Sequence, residues 1–274
     1  MSDGRNGSVK QIICIKWGDK FGAEYVNRLH GMISRNITPP FRLFCFTDDG
    51  TGLHPDIAVR PLPEFDYKTP ERTRGKWPKS RLWGDLGDVT GVVLFLDLDV
   101  VITGNIDCFF EHGDPGDTIL GRNLNTPFER MGQTSVYRMK VGNLAPLQDI
   151  FRADPQAVAD EYKYEQRFVT RNAPGGVKFW PLRWMVHFRM QCVPVFPLNY
   201  FIKPRIPRNA RIVIFPGNLN PPDAIAGRWD EHATPRPPLD HLRAAFARDR
   251  RESFFRHLRH YVHPTEWVER MWRE

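Results

Sequence analysis

Only four cysteines occur in this chain of 274 residues, at positions 14, 45, 108 and 192. No two are close in sequence. That excludes a Cys-x-x-Cys zinc or redox motif and argues against a disulfide-stapled scaffold, so four free thiols are expected. No apolar run reaches the roughly 18 residues that a membrane helix needs. The opening MSDGRNGSVK is polar, and QIICIKW after it is short and quickly followed by charge. Neither resembles a secretory signal. The expectation is a cytoplasmic protein with at most peripheral contact at the inner face of a membrane. A Gly-x-x-x-x-Gly-Lys-Ser/Thr loop is missing too, which argues against P-loop nucleotide hydrolysis. Acidic residues are outnumbered, 32 against 39 basic, for a formal charge of +7. Much of the excess falls in RAAFARDRRESFFRHLRH. No nucleic-acid module accompanies it, so no nucleic-acid partner is expected. The charge suits an anionic small substrate or an anionic lipid surface instead.

What is present fits an α/β protein with a substantial core. The composition is 41% apolar and 26% charged, with 19 phenylalanines and 8 tryptophans. The run 9–17 reads as a buried strand. Residues 22–35 carry Ala23, Val26, Leu29 and Ile33 at helical spacing. Strands are expected at 41–47 and 57–60, a short helix at 79–87 and a central strand at 91–97. The continuous apolar run of that central strand implies cover on both faces. Further strands are expected at 117–122, 134–139, 192–200 and 210–215, helices at 144–152 and 155–164, and a loop at 216–224. From Leu239 the pattern returns to helix. Strands alternating with helices predict a mostly parallel sheet flanked by helices. The simplest division is a core domain over 9–230 with a helical tail over 236–274.

The chemistry concentrates in LFLDLDVV, residues 94–101, where Asp97 and Asp99 close the most apolar stretch of the chain. Residues two apart share one side of an extended strand. Two carboxylates in an apolar setting repel each other and resist desolvation. A hard divalent cation such as Mn²⁺ or Mg²⁺ relieves both problems and leaves positions for phosphate oxygens. Open α/β sheets bind ligands at the carboxyl ends of their strands, where these acids fall. The plainer reading is that two acids merely end a strand by capping turns or pairing with arginine. Asp107, in the following TGNID, is either a contact to the substrate or a cap of the next turn. His187 and Trp184 lie in the aromatic, basic WPLRWMVHFRM.

The segment KSRLWGDLGDVTGVVLFLDLDVVITGNID resembles the nucleotide-sugar glycosyltransferases of the GT-A fold. It is most similar to the family 8 group of glycogenin and the bacterial lipopolysaccharide galactosyltransferases, as a divergent subgroup. The resemblance covers much of residues 9–220. It implies that Asp97 and Asp99 bind Mn²⁺ (or Mg²⁺), which binds the diphosphate of a UDP- or GDP-sugar. It places Arg81, or else Lys79, at the donor. Trp17, Gly18 and Asp19 of CIKWGDKFGAEYV would lie near the base and ribose, and Leu98 counts among the donor-binding positions. YKYEQRFVT resembles an acid-Gln element, making Glu165 and Gln166 catalytic candidates with Asp107. Transfer of a hexosyl group to a glycan, lipid-linked or other hydroxyl acceptor is implied, with retention of configuration. One departure stands out. Aligned on IVIFPG, the family's late histidine ligand falls at Pro216, which has no side-chain donor. Water, His187 or His232 would have to complete the coordination. Two alternatives stay open on the residues alone. One is a catalytically impaired sugar- or nucleotide-sugar-binding protein that kept the fold. The other is a metal-dependent nucleotidyltransferase, although WGDKFGA is no Gly-rich phosphate cradle.

Overall fold

A computed structural model describes residues 9–64, 66–71, 73, 77–126, 128–247 and 252–274. The chain divides into two compact units. The first comprises 1–30, 37–98 and 105–182, and the second 31–36, 99–104 and 183–274. The strands in chain order are β1 (Lys10–Lys16), β2 (Phe41–Thr47), β3 (Ala58–Pro61), β4 (Val92–Leu96), β5 (Val100–Ile102), β6 (Ile119–Arg122), β7 (Gly132–Lys140), β8 (Lys178–Phe179), β9 (Met185–His187) and β10 (Ile212–Ile214). The helices are α1 (Ala23–Asn36), α2 (Cys108–Glu111), α3 (Ala145–Ala153), α4 (Pro155–Tyr162), α5 (Glu165–Asn172), α6 (Pro221–Ala226), α7 (Pro238–Ala244), α8 (Phe254–Arg259) and α9 (Glu266–Met271).

The first unit is built on a seven-stranded sheet of order β3-β2-β1-β4-β7-β6-β8. Strands β3, β2, β1 and β4 run parallel, and β7 turns antiparallel to β4. This is the α/β architecture with a mostly parallel centre that the alternating pattern predicts. Strand β4 sits between β1 and β7, which explains why VVLFL has no polar face. One row across the sheet reads Phe44, Ile13, Phe95 and Tyr137. All four join a core with Trp77, Trp83, Phe151 and Phe168. The Trp77 and Phe151 rings stack at 4.8 Å. Burying each such side chain contributes about 1.5–3 kcal/mol. On the opposite face of β7, fully buried Arg138 donates to the carbonyls of Phe109, Phe110 and Asp114. A buried cation is tolerated there because carbonyl oxygens take the place of water.

The second unit contains a three-stranded sheet of order β5-β10-β9. Strand β10 is antiparallel to β5 and parallel to β9, with Ile214 opposite both Val100 and His187. Helix α9 packs on α6 and β5. A satellite core gathers Tyr200, Ala245, Leu258 and Tyr261. Among the described residues no helix is long and apolar enough to cross a membrane.

Four expectations about elements differ from the structure. The short helix expected at 79–87 is a 3-10 turn over Trp77–Leu82, and residues 83–87 are not helical. Residues 192–200 form no strand. Their place beside β10 is taken by β9, followed by a π turn over Phe188–Cys192 and a 3-10 turn over Leu198–Tyr200. The apolar run there contains Pro194 and Pro197, which lack the N–H a ladder needs. Residues 221–224, the end of the expected loop 216–224, open α6 (Pro221–Ala226). It opens on two prolines, where the missing N–H groups would have had no helical partner anyway. The helical pattern expected from Leu239, with its last amphipathic turns, is divided into short helices. It comprises α7, α8 and α9, and residues 248–251 lie outside the described part. Free cysteines are as expected: Cys14, Cys45, Cys108 and Cys192 form no disulfide.

Candidate functional site

Because β1, β2 and β4 run parallel, their carboxyl ends meet along one edge of the first unit. Asp97 follows the last residue of β4. Its amide still donates to the Ser135 carbonyl of β7 at 2.9 Å, so the carboxylate is held by sheet geometry. The ammonium of Lys79 reaches both of its oxygens at 2.7 Å. Lys79 comes from the 3-10 turn Trp77–Leu82, which buried Trp77 and Leu82 anchor in the core. The same ammonium lies 5.0 Å from the Phe95 ring centroid and donates to the Thr134 carbonyl at 3.2 Å. The Thr134 hydroxyl then donates to Glu165 Oε2 at 2.7 Å.

Glu165 opens α5 and is 5% exposed, and its Oε1 has no hydrogen-bond partner. Burial raises its pKa, Lys79 and Thr134 oppose the rise, Asp97 adds to it, and the balance is about 7. The buried Tyr137 hydroxyl also lacks a partner. Burial, then Glu165 and Asp97, push it well above the usual phenol range. The result is a connected line of groups, Asp97 to Lys79 to Thr134 to Glu165, ending on an orphaned carboxyl oxygen that is poised to titrate near neutrality.

Other candidates from the sequence collect at the same sheet edge. Trp17 packs partly against the core at the end of β1. Gly18 has φ +58° and donates its amide to Asp48 Oδ2 at 3.0 Å. A Cβ at Gly18 would be strained by that φ even though the space is open. Asp19 is exposed beside it. Lys16 donates to the Asp49 carbonyl at 3.0 Å, bracing the ends of β1 and β2. Gln166 is half-buried next to Glu165, and its carbonyl accepts from Thr170 Oγ1. Leu98 is buried in the core. Arg81, in the same turn as Lys79, donates to the Pro63 carbonyl at 2.6 Å. Of the two basic candidates, Lys79 is the one bonded to Asp97.

Asp107 is placed elsewhere. It accepts from the Thr38 amide and hydroxyl and from Asn105, and it pairs with Lys10 at 3.1 Å. Lys10 opens β1, whereas the β1–β4 register sets Asp97 level with Ile15 near its other end, about 15–20 Å away at ~3.3 Å per residue. Burial would raise the Asp107 pKa, but the bonds from Thr38, Asn105 and Lys10 outweigh it and hold the value at about 2. A lowered carboxyl pKa contributes stability that is present above the unfolded value and lost as pH falls toward 2. Asp107→Ala is therefore expected to cost about 1–2 kcal/mol at pH 7 and nothing near pH 2, read from urea midpoints at both values.

Within the second unit, Asp99 immediately precedes β5. The row Val100, Ile214, His187 therefore sets Asp99, His187 and the Phe215–Pro216 turn at one end of its sheet. His187 is 8% exposed and its Nδ1 has no hydrogen-bond partner. Burial, and secondarily Arg189, lower its pKa to about 4, so the imidazole is neutral at pH 7. His232 is exposed beside Glu231.

A separate group joins His30 of α1 with His54 and Asp56 of the β2–β3 connection. Their ligand atoms lie within 4.8 Å of one another, and among the described residues they form a cluster able to coordinate a divalent metal ion. Sequence reasoning missed it because the three are spread over 27 residues with no recognisable spacing. Thr134 opens TSVYRMKVGN, which resembles the family's Asn-Ser-Gly segment of sugar contacts, but nothing in the sequence assigns its hydroxyl a role of its own; it lies in a strand buried along most of its length.

No family model matches the sequence, and no curated protein does. Solved structures do. The galactosyltransferase LgtC, in complex with donor and acceptor sugar analogues, aligns with a TM-score of 0.53 at 15% identity over 94% of this chain and 99% of its own. An active-site mutant of LgtC aligns at 0.54 and 13% over 90% and 99%. The glycosyltransferase GlyE of Streptococcus pneumoniae TIGR4 aligns at 0.54 and 11%, over 97% of this chain and 65% of GlyE. At such identities the likeness is one of fold: the chain has a GT-A-like fold, shared at a distance with these glycosyltransferase structures.

Proposed function

We propose that this protein transfers a sugar from a UDP- or GDP-sugar to a hydroxyl acceptor, with Mn²⁺ or Mg²⁺ held by the Asp97-Leu98-Asp99 motif. The observation that carries the reading is the buried line from Asp97 through Lys79 and Thr134 to Glu165, at the carboxyl ends of a parallel sheet. The donor set fits the ion. Carboxylate oxygens suit a hard cation, and each Asp97 oxygen keeps accepting capacity beyond its contact with Lys79. The neutral His187, with its unpartnered Nδ1, is the candidate for the position that Pro216 leaves without a side-chain donor. When bound, the cation offsets the charge of the diphosphate leaving group.

The chain's own groups do the rest. Lys79 fixes the direction of the Asp97 carboxylate, and it adds positive potential for phosphate oxygens. Gly18 lets backbone approach the nucleotide while Trp17 offers a ring to the base. Gln166 presents an amide to the sugar, and Glu165 holds a proton near neutral pH next to it. The structure lookalikes that act on sugars support the same class. Phe201, Phe246 and Phe255, exposed in a second unit rich in arginine, support peripheral contact with an anionic membrane carrying a lipid-linked acceptor. A protein that binds nucleotide sugar without turnover is the second reading, favoured by Pro216.

Titration calorimetry with UDP, GDP and their sugars, with and without Mn²⁺, tests the proposal, with slow donor hydrolysis followed in parallel. Mn²⁺ is expected to tighten binding of one nucleotide by tenfold or more. Asp99→Ala should remove that gain and His187→Asn should reduce it. Equal binding by Asp99→Ala and the parent would overturn the metal assignment. Tight Mn²⁺-dependent binding with no hydrolysis or transfer would establish the binding-only reading.

A further inference from the structure

We propose that His30, His54 and Asp56 form a second metal site, selective for a zinc-class transition ion, that ties α1 to the β2–β3 connection. It does not depend on the sugar-transfer reading. Three observations carry it. The first is geometry: His54 Nδ1 lies 3.8 Å from Asp56 Oδ2, the His30 and His54 rings are 4.9 Å apart, and all three ligand atoms fall within 4.8 Å. A tetrahedral Zn²⁺ with bonds of about 2.0–2.2 Å needs ligand atoms roughly 3.4 Å apart. The cluster therefore needs to contract by up to about 1.4 Å, with the His54 ring turning off its stack on His30 so that both nitrogens face the ion. The movement falls on His54 and Asp56, which are exposed, while His30 stays seated beside Phe41.

The second observation is that the connection is already tethered to the helix. Asn27 lies one turn before His30 on the same side of α1. It accepts from the His54 amide at 2.9 Å and donates to the Gly52 carbonyl at 3.0 Å. Buried Ile57 fixes the other end of the turn. Metal binding then orders only two side chains rather than closing a loose loop, which lowers its entropic cost.

The third is chemistry. Two imidazoles and one carboxylate suit Zn²⁺, Ni²⁺ or Cu²⁺, whereas Mn²⁺ and Mg²⁺ favour sets of oxygens such as Asp97 and Asp99. His54 Nδ1 accepts from the Asp56 amide at 3.2 Å, so it carries a lone pair, and an ion bound there would displace that amide. The cluster lies by Phe41 and the entry to β3, at the amino ends of the strands, opposite the edge that carries Asp97.

The test uses the full chain without a histidine tag, stripped with chelator and titrated with ZnCl₂ by calorimetry and thermal melting. One equivalent is expected to bind and to raise Tm, and in Asp99→Ala the Zn²⁺ rise should persist while the same concentration of MnCl₂ gives none. His54→Ala and Asp56→Asn should each weaken Zn²⁺ binding at least tenfold, and the double variant should lose the event. The double variant should keep Mn²⁺-dependent nucleotide binding, and Asp99→Ala should keep Zn²⁺ binding, so either proposal can fail alone. Unchanged Zn²⁺ affinity in the double variant would place the ion on other histidines of the nine in the chain and overturn the site. So would the absence of any binding event.

Discussion

Lys79→Met is expected to destabilise the protein by about 3 kcal/mol and to reduce transfer or donor hydrolysis at least a hundredfold. Removing one partner of a buried ion pair typically costs about 3–5 kcal/mol, because the remaining charge is left desolvated. The low end applies here, since Lys79 and Asp97 are 9% and 19% exposed and water screens part of the loss. Three groups would lose their donor or counter-charge together. Asp97 loses the ammonium on both oxygens, the Thr134 carbonyl loses a donor, and Glu165 loses the interaction that most opposes its burial. Methionine preserves the packing over Phe95, so the loss reports charge rather than volume. Lys79→Arg should recover little, because a planar guanidinium cannot take the place of a compact ammonium between Asp97 and Thr134. Chemical denaturation and donor turnover check the two halves. A stability loss under 1 kcal/mol would mean that water already carries Asp97, and that the line from Asp97 to Glu165 is not a coupled unit.

The sheet was legible because its centre obeys simple patterns. GVVLFLDLD announces a strand covered on both faces, and α1 shows its buried stripe at helical spacing. The Asp-x-Asp pair stands out in the sequence because carboxylates at the end of such a strand demand compensation. What the sequence could not show was the compensator. Lys79 and Arg81 are equivalent on paper, two residues apart in one short turn. Only the packing of Trp77 and Leu82 decides that Lys79 faces Asp97 while Arg81 faces the Pro63 carbonyl. Asp107 misled for the complementary reason. It follows the motif closely in sequence, but β5 intervenes and carries the chain away before it returns. The late strand failed because apolarity at 192–200 was counted without charging its prolines for their missing donors.

The second large effect is one of pH. Glu165→Gln is expected to flatten the stability profile between pH 4.5 and 8 and to leave the variant more stable than the parent at pH 8 by roughly 3 kcal/mol. In the native protein the Glu165 pKa is raised to about 7, chiefly by burial. An acid with a raised folded pKa contributes stability that is fully present below its unfolded value near 4.5. That contribution is lost as pH rises through 7, because the unfolded chain ionises freely while the buried carboxyl resists. Glutamine never ionises, and its amide oxygen still accepts from the Thr134 hydroxyl. Urea titrations at pH 5 and pH 8 read the difference directly, and a parent profile with the same slope as the variant would refute the assignment. Activity separates two roles for the same group. If Glu165 exchanges a proton during transfer, the rate of the parent should show a limb near pH 7 that the variant lacks, and the variant should be slow at every pH. If Glu165 only positions Thr134 and, through it, Lys79, the limb disappears while most of the rate remains. A group held half-ionised at neutral pH forfeits stability at the pH where the protein must work, and that cost is what gives its position at the end of the Asp97 line a functional reading.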